Sequence, residues 1–192
     1  MKKIIGLFIL LGALSVQAQD EFQLKQNDNK KIEYQGVIEN ADLAKAALFV
    51  KGLAWCQQTD RNQTISFKDE AIGKIICEAA FSTIGKKNAY TTKEYNYKFT
   101  CDVNLEFKDG KTRYTLNNFK KKTSPGEPGS SLEYFIESYK PKVSSQKSRD
   151  REAKMLDQIE LAIQDQVWDL IEALKKALGT EVVEEEKTDG DW

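Results

Sequence analysis

From Tyr95 to Phe107 the chain alternates without a break. Tyr95, Tyr97, Phe99, Cys101, Val103, Leu105 and Phe107 interleave with Asn96, Lys98, Thr100, Asp102, Asn104 and Glu106. A period of two marks a strand with one buried face, because successive side chains point to opposite sides of the pleat. Asp109-Gly110 follows, a pair that favours a type I′ hairpin turn with positive φ at both central positions. A two-residue loop fixes the register, with Phe107 facing Thr112, Leu105 facing Tyr114 and Val103 facing Leu116. On the other face Glu106 then lies across from Arg113 and Asn104 across from Thr115, pairings worth at most ~1 kcal/mol each.

Upstream, KKIEYQGVIE sets Ile32, Tyr34, Gly36 and Ile38 on one side and predicts a half-buried strand. Asn40 offers an N-cap to ADLAKAALFVKGLAWCQQ, where Leu43, Ala47, Val50 and Ala54 recur at helical spacing beside Phe49, Leu53 and Cys56. TISF reads as a short strand, KDEA as a turn, and GKIICEAAF as a strand with Ile75, Cys77, Ala79 and Phe81 on one face. KKKTSPGEPGSS ends the sheet in a loop. Ser130 and Glu133 have capping-box spacing ahead of a short helix that closes before Pro141.

The last element runs from about Arg149 to Leu178, with Leu156, Ile159, Ile163, Val167, Leu170, Leu174 and Leu178 on one stripe and Gly179 as its stop. Thirty residues make a rod of roughly 45 Å, close to the roughly 43 Å of the strand from Asn96 to Lys108. The helix therefore has the length to lie along the hairpin. The pattern predicts an α+β domain, a five-stranded curved antiparallel sheet with helices packed on one face, in the order β-α-β-β-β-β-α.

The ends of the chain differ from this domain. MKKIIGLFILLGALSVQA, residues 1–18, has the charged start, apolar run and small-residue end of a secretory signal peptide. Its apolar run is shorter than the ~20 residues of a membrane-spanning helix. The expectation is export to the periplasm or beyond, without a transmembrane span. A polar lead (19–29), one domain (30–178) and an acidic tail (179–192) complete the division, the tail read as disordered. Without Lys2 and Lys3 the chain carries 27 basic and 30 acidic residues, a balance that lacks the basic excess of a nucleic-acid binder. The chain has no histidine, which removes the usual general base, the commonest metal ligand and the Ser-His and Cys-His pairs. No catalytic constellation, metal site or cofactor motif is recognised, and a non-enzyme is expected.

YQGVIEN leading into a helix that ends near Trp55, the ISFKDEAIGKIIC hairpin, and KDGKTRY after a long alternating strand together resemble a family. It is that of the exported Bacteroidetes domains of unknown function with a TATA-binding-protein-like fold. The resemblance covers about Lys30 to Phe119. It implies a fold and an export habit, brings no activity or site residues, and does not imply DNA binding.

Few residues offer themselves as a site. Cys56, Cys77 and Cys101 enter an oxidising compartment if the chain is exported. With a turn centred on Ala89, Cys77 and Cys101 lie opposite one another as a candidate disulfide; the alternative is three small buried apolar residues. Asp102 and Glu106 share a face but stand roughly 13 Å apart along the strand, too far for a glycosidase pair. Lys120, Lys121 and Lys122, with the basic residues from Lys140 to Arg151, read as a solvated linker or as a patch for anionic lipid headgroups or an acidic partner. Trp168 either broadens the buried stripe or anchors an interface.

Two readings of function follow. The first is a non-catalytic binding or interaction protein of the cell envelope that uses the polar sheet face or an edge to hold a protein partner or a second copy of itself. The second is a carrier of a small apolar ligand, held between sheet and helix by Tyr34, Tyr95, Tyr97, Phe99 and Phe107, which serve equally as solid core.

Overall fold

The structure, a computed structural model, describes residues 24–58, 64–86, 94–122, 129–139 and 146–179. Residues 1–18, read above as a signal peptide, and the acidic segment after Gly179 lie outside the described residues. Strands β1 (Tyr34–Glu39), β2 (Thr64–Asp69), β3 (Lys74–Lys86), β4 (Glu94–Lys108), β5 (Lys111–Lys122) and β6 (Ser130–Ser131) accompany helices α1 (Lys45–Cys56), α2 (Leu132–Tyr139) and α3 (Gln146–Leu178). Neighbouring strands pair antiparallel in the order β1-β5-β4-β3-β2, and β6 adds two residues to β5 beyond β1. The sheet is thus the expected five strands plus a short sixth.

The β4–β5 hairpin has the register that alternation predicts: Phe107 pairs with Thr112, Leu105 with Tyr114, Val103 with Leu116 and Glu106 with Arg113. Its turn differs from the type I′ expectation, because only Gly110 takes positive φ (75°). The Asp109 side chain is committed elsewhere. Its Oδ1 accepts the backbone N–H of Lys45 at 2.7 Å, at the start of α1. Gly110 also donates to the Leu43 carbonyl and accepts from the Asn40 N–H. The hairpin tip is therefore locked to the β1–α1 connection.

This arrangement corrects the helix start. Asn40 is not the cap of α1, whose N-cap position is Ala44. Asn40 is buried and its Nδ2 donates to the carbonyl of Leu178, at the end of α3. The buried face of α1 is Leu48, Phe49, Gly52, Trp55 and Cys56, and Val50 is exposed. Gly52 is the point of closest approach: a Cβ there would lie 2.4 Å from Cζ of Phe107. The glycine that weakens the helix lets it settle onto β4.

A bulge reorders β5. Thr100 pairs with Lys120 but Asp102 with Asn117, so β5 carries one residue more than β4 across this step. Asn118, at φ 52°, absorbs it, and its Nδ2 bonds the Asp102 carboxylate at 2.7 Å. Asparagine tolerates the left-handed region better than other residues with a side chain. Beyond it the parity flips. Phe119 joins Tyr114 and Leu116 on the helix-covered face and is buried.

That face holds the core. Ile75, Cys77, Ala79, Phe99, Cys101, Val103, Leu105 and Phe107 from β3 and β4 are buried with Ile159, Ile163, Val167, Ile171, Leu174 and Leu178 of α3. Met155 is buried in place of the expected Leu156. The cap of α2 is Ser131, one residue after the expected Ser130: its Oγ accepts the N–H of Tyr134. Glu133 instead reaches the backbone N–H of Ile32 at 3.0 Å. No described helix is long and apolar enough to cross a membrane.

Candidate functional site: the free length of strand β3

β2 has six residues and β3 thirteen. β2 pairs only from Thr64 opposite Glu78 to Asp69 opposite Lys74, whereas β4 pairs with β3 along its whole length. Residues 79–86 therefore have no strand partner on the β2 side among the described residues. An unpaired edge offers backbone donors and acceptors to another chain.

A cleft of about 550 Å³ adjoins this edge. Glu78, Ala80, Phe81 and Ser82 of β3 line it with Lys98, Phe99 and Thr100 of β4, Lys122 of β5, and Gln166, Asp169 and Leu170 of α3. Phe81 and Phe99 stack at 5.6 Å and form an apolar wall. Thr100 is only 4% exposed, and its Oγ1 has no hydrogen-bond partner. A buried hydroxyl without a partner is costly in a finished core, and Thr100 is among the residues that line the cleft. Lys122 and Glu78 approach at 3.6 Å. Hydroxyl, amide, cation and carboxylate groups thus surround a small apolar surface beside the open strand. This set suits a segment of extended peptide, with backbone to pair and side chains to seat.

The sheet face opposite the helices is ionic and half-exposed. Glu106 accepts from Arg113 and stands 3.4 Å from Lys74. Partial burial pushes the Glu106 carboxyl up, but the hydrogen bonds and charges of Arg113 and Lys74 outweigh it and hold the group below its ordinary value. Asn104 bridges to the Thr115 carbonyl and to Asn117. Phe67, which a shift at Ser66 turns to this side opposite Ile76, is 41% exposed.

The aromatic residues read from the sequence divide differently. Tyr34 packs edge-on against Phe119 and Trp168 and Phe107 edge-on against Phe49, while Tyr97 lies tilted against Phe135. All three are buried and none borders the cleft. Burial pushes the Tyr34 hydroxyl up to about 12. Phe99 lines the cleft, and the backbone of Tyr95 pairs with Gly85. Lys121 lies over the rings of Tyr97 and Phe135, at 5.2 and 4.8 Å. Trp168 is half-buried, with Lys25 over its ring.

The cysteine pairing is corrected. Cys101 lies opposite Ala79, and Cys77 opposite Val103, so Cys77 and Cys101 are diagonal rather than facing. The β3–β4 register pairs each residue of β3 with one two places further along β4 than the sequence alone suggested. The neighbour of Cys77 is Cys56, at the end of α1, with the two Sγ atoms 2.7 Å apart.

Ser82, Thr100, Lys122, Gln166 and Asp169 carried no motif in the sequence. The available signal was the mismatch in length between TISF and the strand after it. A short strand beside a long one leaves an edge.

Residues 34–122 match the model of a family described as a domain of unknown function (DUF4468) with TBP-like fold. Among solved structures, a DUF4468 family protein from Bacteroides ovatus is 13% identical with a TM-score of 0.60, covering 82% of this chain and 91% of its own. A TBP-like protein from Parabacteroides distasonis is 11% identical with a TM-score of 0.49, covering 79% and 97%. No curated protein matches the chain.

Proposed function

Residues 34–122 are a domain of the DUF4468 family with its TBP-like fold, and from that premise we propose an exported, non-catalytic binding protein of the bacterial envelope. It takes an extended segment of a partner polypeptide along residues 79–86 of β3. The observation that carries this reading is the coincidence of a strand edge unpaired among the described residues with a cleft lined by Thr100, whose buried hydroxyl has no partner. Strand addition supplies affinity through main-chain hydrogen bonds, and the cleft supplies selectivity for side chains.

Export rests on the signal-peptide pattern of residues 1–18. Nucleic acid is a poor fit. On the helix-free face Lys74 and Arg113 share Glu106, and at the cleft Lys122 has Glu78, whereas a groove binder needs a basic stripe with apolar wedges. An apolar carrier is a weaker fit than a peptide binder, because Tyr34, Tyr97 and Phe107 are spent on packing.

A photo-crosslinking residue placed at Ser82, with a control at Arg113, tests the proposal in the envelope of the native cell. A discrete adduct from position 82 that Ile84→Lys abolishes is expected. Ile84 is 65% exposed on the free length of β3, and a lysine at an edge discourages strand addition. Equal adducts at both positions, or an adduct indifferent to Ile84→Lys, would overturn it.

A further inference from the structure

We propose that Cys56 and Cys77 close a disulfide in the exported protein, tying the end of α1 to the middle of β3 and leaving Cys101 as a buried thiol. The inference shares the export premise of the proposed function and is otherwise independent of partner binding.

The geometry comes from two elements whose partners are fixed elsewhere. Cys56 is the last residue of α1, on the face that holds Leu48, Phe49 and Trp55 against the sheet. Cys77 occupies the helix-covered face of β3, held by pairing with Val103 on one side and Ile65 on the other. The Sγ atoms meet at 2.7 Å, with both residues at most 1% exposed. Two sulfurs that only touch stand further apart than this, and the bonded distance is ~2.05 Å. Little movement of either backbone separates the contact from the bond. Cys101 is excluded by register, since it faces Ala79 and lies diagonal to Cys77, a relation that sets backbones roughly 7–8 Å apart.

The bond also closes a loop around a poorly buried strand. Between the two cysteines lies β2, whose residues are exposed or half-buried along its whole length. A cross-link there restricts the unfolded chain around a strand that contributes little to the core. Glu78, next to Cys77, lines the cleft, so the bond anchors the point at which β2 begins opposite Glu78 and beyond which β3 has no partner on that side among the described residues.

Closure removes two protons and two electrons and needs an acceptor, which is the disulfide of a thiol oxidoreductase or of oxidised glutathione. One cysteine thiolate attacks the donor R–S–S–R and expels R–S⁻. The second then attacks the mixed disulfide, giving Cys56–S–S–Cys77 and, in total, two R–SH. The contact with Cys56 and burial both push the Cys77 thiol well above its ordinary value. Exchange therefore belongs to the folding chain, before the core closes over the pair.

The test is intact mass and peptide mapping of the full-length gene product purified from its own envelope, alkylated in denaturant before and after reduction. One alkyl group before reduction and three after, with a linked peptide pair containing Cys56 and Cys77, are expected. Three groups before reduction, or a linked pair that includes Cys101, would overturn the assignment. Cys101→Ser separates the bond from general cysteine effects. It should keep a drop of several degrees in thermal midpoint on reduction, which Cys77→Ser should lack; the reverse pattern would refute the pairing. The N-terminal mass separates the two premises. An unprocessed leader with the bond closed refutes export alone, and a processed chain with three thiols refutes the bond alone.

Discussion

The carboxylate of Asp109, at the tip of the β4–β5 hairpin, accepts the backbone N–H of Lys45 at 2.7 Å and so caps a helix from 64 residues away. Helix starts leave N–H groups without intrahelical partners, and α1 has no side-chain cap of its own. Asp109→Ala should cost about 1 kcal/mol, seen as a fall of roughly 2–4 °C in thermal midpoint. Asp109→Asn, which keeps the acceptor oxygen, should recover most of it. Equal losses in both variants would show that the turn, and not the cap, needs the aspartate.

Gly52 sets helix propensity against packing. Alanine is favoured in a helix by about 1 kcal/mol, but its Cβ would stand 2.4 Å from the Phe107 ring. Overpacking of this kind costs typically 1–3 kcal/mol. Urea denaturation of Gly52→Ala should show a net loss, and adding Phe107→Leu should cost less than the sum of the two single changes. Additive losses would mean that α1 moves aside.

Acid should unfold the protein through two carboxylates held below their ordinary value of 4.5. Burial raises Glu133, and the backbone N–H of Ile32, with Ser131 and Lys31, more than reverses it; Glu106 follows the same balance. A carboxyl lowered by folding binds fewer protons in the native state, so its stabilisation is complete above about pH 4.5 and is lost as pH falls through the lowered value. Thermal midpoints measured from pH 7 to pH 3 should decline below about 4.5. Glu133→Gln should begin lower and decline less steeply, and an unchanged slope would remove Glu133 from the account.

Asn40 joins the end of β1 to the end of α3 by one bond to the Leu178 carbonyl, 2.9 Å long. Asn40→Ala should speed amide exchange in the last turn of α3 and leave that of β4 unchanged. A uniform increase would indicate global destabilisation instead.

These relationships mark how far the sequence could be read. Alternation from Tyr95 to Phe107 gives the register of β4 and β5, because a hydrophobic period of two admits one pairing around a two-residue loop. What it misses is tertiary. Asp109 looks like a turn residue and Asn40 like a helix cap by their immediate neighbours. Each serves a partner far along the chain, and local spacing has no term for that. The Cys56–Cys77 contact was hidden for a similar reason, since it depends on where α1 crosses β3. The free length of β3 was half visible, in the brevity of TISF; the cleft beside it needs α3, whose placement no local pattern supplies.

The extra residue at Asn118 gives the chain a counting rule. Every position of β5 before it keeps odd and even residues on fixed sides of the sheet, and every position after it keeps them on the opposite sides. Deleting Asn118 would remove the surplus, match β5 to β4 residue for residue, and leave Phe119 under the helices with Lys120 still opposite Thr100. Drawing Asn118 into a plain ladder instead would send Phe119 toward water and bring Lys120 under the helices. The bulge is therefore a spacer that lets a strand one residue longer than its neighbour keep both of its faces.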